Sequence, residues 1–100
     1  MTIYEVLQTT GLPVAYGYYK NNPVPPYLVY IGGGQDNYSA DDSFYYSSER
    51  YQVELYFTKK DPELEESIES VLLNNGYKYS KSEDVYIESD DIFVIYFYIN

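Results

Sequence analysis

The chain contains no cysteine, no histidine and no tryptophan, and it sets only six lysines and arginines against sixteen aspartates and glutamates. Each shortage closes off a class of chemistry. Without cysteine no disulfide can form. Without cysteine and histidine there is no Cys/His zinc site, no Ser-His-Asp or Cys-His nucleophile, and no haem held by His or Cys. The net charge is −10, and the basic residues Lys20, Arg50, Lys59, Lys60, Lys78 and Lys81 are scattered. No basic stripe is available to displace counterions from a nucleic-acid backbone, and an anionic membrane surface would repel the chain. No run approaches the ~20 apolar residues that span a bilayer. The start, Met1-Thr2-Ile3-Tyr4-Glu5, lacks the basic beginning and long apolar stretch of a signal peptide. The expectation is a cytosolically made protein without enzymatic activity, bound cofactor, direct nucleic-acid contact or membrane association.

What is abundant is tyrosine: sixteen among 100 residues. The length suits one domain spanning residues 1–100. With 45% hydrophobic residues the composition is that of a folded chain, not a disordered one. Tyrosine combines good strand propensity with an apolar ring and a polar tip, so it serves both sheets and surfaces buried on association.

Along the chain, Ile3, Val6 and Leu7 follow helical spacing, and Gly11 and Pro13 close a short helix over 2–10. Val14 to Tyr19 reads as a strand with a bulge at Gly17. Pro23, Pro25 and Pro26 make the next stretch a connector, and Tyr27 to Ile31 a strand. Gly32-Gly33-Gly34 is expected to break regular structure and open a polar loop or hairpin tip, with Phe44 to Tyr46 resuming strand structure. Arg50 to Thr58 alternates cleanly: Tyr51, Val53, Leu55 and Phe57 inward, Gln52, Glu54, Tyr56 and Thr58 outward. Asp61 as N-cap and Pro62 at the first helical position start a second helix with the stripe Leu64, Ile68, Val71, Leu72, and Gly76 stops it. Strands follow at 77–80, 85–88 and 92–99. This order predicts an α+β fold: a mostly antiparallel sheet of five to six strands with two helices packed on one face.

The last strand, Ile92 to Ile99, is apolar on both parities, as in a strand buried on both sides. Phe93, Ile95, Phe97 and Ile99 should meet the helices. The other face should then present Val94, Tyr96 and Tyr98, joined by Leu28, Tyr30 and Tyr56 from neighbouring strands. A patch of six such side chains marks an association surface, unless the sheet curls or the Gly32–Ser43 loop folds over it.

Other constellations are weaker. Gly32-Gly33-Gly34 lacks the Lys-Ser/Thr ending of a phosphate loop. Asp36, Asn37, Asp41 and Asp42 offer oxygens to a hard cation, but not at EF-hand spacing. Glu63, Glu65, Glu66 and Glu69 read as a solvated helix face. The functional alternative for that face is a nucleic-acid mimic, through which a small acidic protein inhibits a host or phage nucleic-acid-binding protein.

Leu12-Pro13-Val14-Ala15-Tyr16-Gly17, Pro25-Pro26-Tyr27-Leu28-Val29-Tyr30 and Ser48-Glu49-Arg50-Tyr51-Gln52-Val53-Glu54-Leu55-Tyr56 resemble the small tail-completion or tail-terminator proteins of tailed bacteriophages and prophages, as does the order of elements. The resemblance implies a structural virion protein at the head–tail joint, assembled in the bacterial cytoplasm. Its partners would be tail tube or neck proteins, and it would be a monomer when free and a ring on the tail. The family has no catalytic signature to carry across.

Overall fold

The first helix, α1 (Ile3–Gln8), is set by a reciprocal cap: Thr2 Oγ1 accepts from the Glu5 N–H at 3.2 Å, and Glu5 Oε1 accepts from the Thr2 N–H at 2.8 Å. It turns Ile3, Val6 and Leu7 inward. β1 (Val14–Tyr16) stops before Gly17, whose φ of +80° takes the chain out of the sheet, so the strand expected to run to Tyr19 is cut short and Gly17 is a turn, not a bulge. β2 (Tyr27–Asn37) and β3 (Ser47–Phe57) form the long central hairpin. Asp61 caps α2 (Pro62–Asn74) by accepting from the Leu64 N–H at 3.2 Å. Short strands β4 (Tyr79–Lys81) and β5 (Val85–Ile87) precede β6 (Ile92–Ile99). This computed structural model describes residues 2–37 and 47–99; the expected strand at Phe44–Tyr46, and Asp41 and Asp42, lie outside them.

The six strands form one mixed sheet in the order β1-β2-β3-β6-β4, with β5 also pairing with β6. β1 and β2 are parallel, and every other pair is antiparallel. The fold is α+β, and both helices contribute to a single main core. Leu28 from β2, Val53, Leu55 and Phe57 from β3, and Ile95, Phe97 and Ile99 from β6 pack with Ile3 and Leu7 of α1 and Ile68 and Leu72 of α2. The alternation in β3 and the inward set of β6 therefore fall on the face expected for them.

Two expectations are corrected here. Gly32 to Asn37 does not leave the sheet. It continues β2 and pairs with Ser47 to Tyr51 across a register shift between Gly32 and Gln35. A bulge absorbs the irregularity, and the ladder resumes with Gln35 opposite Glu49. β1 reaches only Tyr30, and β6 only Tyr51, so among the described residues the distal part of the hairpin is two-stranded.

The second correction concerns Glu65, which is not part of a solvated helix face. It is 4% exposed, with Oε1 2.9 Å from Lys81 Nζ and Oε2 2.7 Å from Lys60 Nζ. Lys60 also reaches Asp84 at 3.1 Å and Lys81 reaches Glu69 at 3.1 Å. These bridges tie α2 to β4 and to the β4–β5 connection. Burial alone would raise the Glu65 carboxyl, but the two ammonium groups outweigh it and hold the group below the usual carboxylate range.

Candidate functional site

Register defines the sheet face opposite the helices. Residues paired across strands share a face, which gives three rows across β1, β2, β3 and β6. The first is Tyr27, Tyr56 and Val94; the second is Ala15, Val29, Glu54 and Tyr96; the third is Ile31, Gln52 and Tyr98. Of the six side chains expected here, Tyr56, Val94, Tyr96 and Tyr98 are present. Leu28 and Tyr30 are not. They lie on the helix face, where Leu28 is fully buried in the main core and Tyr30 packs against that core. The Tyr30 ring also sits 5.3 Å from Tyr16 and 6.1 Å from Tyr4. The β2 run Tyr27 to Ile31 is apolar on both parities, so its orientation was not readable from the strand itself.

Nor is the face a continuous apolar sheet. Val94 is present but fully buried. The chain after Gly17 brings Tyr19 across β2, where its ring meets Tyr27 edge-on at 5.2 Å and its hydroxyl donates to the Leu28 carbonyl at 3.2 Å. Tyr27, Val29 and Ile92 are thereby buried in a second, smaller cluster with Tyr19, Tyr56 and Ile87 packed against it. One flank of the expected patch is thus covered from within.

The remainder is aromatic and polar together. Tyr96 and Tyr98 stack at 6.1 Å, 17° from parallel, and Tyr98 is 44% exposed. Between them and β2 lies Glu54, which accepts from the Tyr56 hydroxyl at 2.7 Å and from Gln52 Nε2 at 3.0 Å. Burial, then this hydrogen bond, push the Tyr56 hydroxyl far above its ordinary value. Burial, then the charge of Glu54, raise Tyr96. Glu54 and Gln52 were legible in the sequence as outward residues of β3. Tyr19 and Tyr27 were missed, because nothing local in the sequence shows the connector folding back across the sheet.

A wider groove of about 550 Å³ lies at the start of α2, between Pro25, Pro26, Phe57, Lys60 and Leu64. Its charges are already committed: Asp61 caps the helix and Lys60 pairs with Glu65 and Asp84. Among the described residues no cluster of acids is placed to hold a metal ion, and no helix is long and apolar enough to cross a membrane. No family model matches the chain, and the search of curated proteins found no match.

Proposed function

We propose that the chain is a structural, non-enzymatic protein that works by association with other protein chains, as a tail-completion or tail-terminator subunit of a bacteriophage or prophage. The observation that carries the association reading is the Tyr96–Tyr98 stack. It sits on the face of β6 opposite the two described helices, beside the half-buried Tyr56 and the polar pair Gln52 and Glu54. Tyrosine rings bounded by satisfied polar groups are the chemistry of surfaces that are wet when free and buried on contact. The assignment to a phage neck rests on the resemblance in sequence. The acidic helix gives less support to nucleic-acid mimicry than its composition suggests, because Glu65 and Glu69 are engaged by lysines.

The test is light scattering across protein concentration, alone and with tail tubes of the virus that encodes the chain. The wild type should assemble in at least one of these settings. Tyr98→Asp should keep the native circular dichroism and lose assembly. A wild type that stays monomeric in both settings, or a Tyr98→Asp variant that assembles as the wild type does, overturns the reading.

A further inference from the structure

At the other end of the same face the β1–β2 connector and the turn before β6 enclose a small cleft. Its volume is about 150 Å³, well under the roughly 300–1,000 Å³ of sites for drug-sized ligands. It has room for the end of one side chain. Tyr18, Tyr19, Tyr27 and Tyr56 line it, with Asn22 and Asp90, and among the described residues no ammonium or guanidinium does. Three of the rings, Tyr19, Tyr27 and Tyr56, are held in place. Tyr27 stacks on Tyr56 at 5.0 Å, Tyr19 meets Tyr27 edge-on, and the Tyr19 and Tyr56 hydroxyls are tied to the Leu28 carbonyl and to Glu54. The main chain at Asp90 is fixed by its N–H, which donates to the Ile87 carbonyl at 3.2 Å. Tyrosine rings attract cations through their negative faces, and among the described residues no cation lines the cleft to neutralise Asp90.

We infer that this cleft receives the guanidinium of an arginine displayed by a partner protein, which stacks on the tyrosine wall and donates its N–H fork to Asp90. Guanidinium fits better than ammonium, since it is planar and more weakly hydrated, and so loses less on leaving water. The inference rests on reading this face as a protein-binding surface, but it is tested on the isolated chain.

The experiment is an NMR titration of the full chain with Nα-acetylarginine amide, following the ring signals of Tyr19, Tyr27 and Tyr56. Saturable shifts with a dissociation constant on the order of millimolar are expected. The citrulline analogue, a neutral isostere, should produce none. Asp90→Asn, with an otherwise native amide spectrum, should weaken arginine roughly ten-fold. Absence of saturable shifts, equal shifts with citrulline, or an Asp90→Asn variant that binds as the wild type does overturns the inference. Arginine binding that persists while Tyr98→Asp assembles normally would retain the cleft and discard the assembly surface.

Discussion

Glu65 sits at the buried edge of α2 with a lysine on either side, and its ionisation is coupled to folding. Its folded pKa is below the unfolded value near 4.5, so the stability it contributes is present above that pH and is lost as pH falls through the folded pKa. Glu65→Gln removes the charge that Lys60 and Lys81 share. Breaking a buried pair costs about 3–5 kcal/mol when the remaining charge stays buried. Lys60 is half exposed and Lys81 keeps Glu69, so a loss of about 2 kcal/mol at neutral pH is expected, below that range because both lysines stay solvated or paired. Urea denaturation should show this, with a shallower decline of stability below pH 4.5 than in the wild type. Tyr56 works at the alkaline end. Its folded pKa is raised, so its contribution is intact below the unfolded value of 10.0 and is lost as pH rises beyond it. Tyr56→Phe loses the hydrogen bond to Glu54, at a cost of about 1 kcal/mol near pH 7, and the gap to the wild type should narrow above pH 10. Urea denaturation of Tyr56→Phe and wild type, at pH 7 and above pH 10, checks this.

At the scale of elements, α1 has only six residues, far fewer than the ~12–15 at which an isolated helix becomes marginal in water. It persists through its cap and through Ile3, Val6 and Leu7. Thr2→Ala should cost about 1 kcal/mol, and Leu72→Ala, which opens the core beneath α2, about 3 kcal/mol. Chemical denaturation of the two variants checks the order, and a Thr2→Ala loss equal to that of Leu72→Ala would overturn it. The elements themselves were largely readable. Asp61-Pro62 marks the start of α2, the alternation of β3 marks its two faces, and Ile92 to Ile99 carries the length and polarity of a buried strand. Each signal lies within a few neighbouring residues. The continuation of β2 through Gly32 to Asn37 was not readable, because glycine runs have no intrinsic strand preference, and here pairing with β3 decides the matter.

At the scale of the whole molecule, a net charge of −10 repels itself across the surface. Added salt should raise the melting temperature by screening that repulsion. The buried Glu65 bridges respond less, and the expected gain is under about 1 kcal/mol, or less than about 8 °C for a chain this size. A melting temperature that falls with salt would show that the ion pairs outweigh the repulsion.

Composition, helix caps and alternation are local properties, and they sufficed for the α+β class, the positions of α2 and β6, the two faces of β3 (though not its start at Ser47), and the inward face of β6. Which way Leu28 and Tyr30 point, the burial of Glu65 between two lysines, and the fold of Tyr19 over Tyr27 were settled only when distant segments met. A strand that is apolar on both parities has two orientations of similar local energy, and a carboxylate on a helix edge can face either water or a partner. The choice belongs to the register and to the neighbour across it.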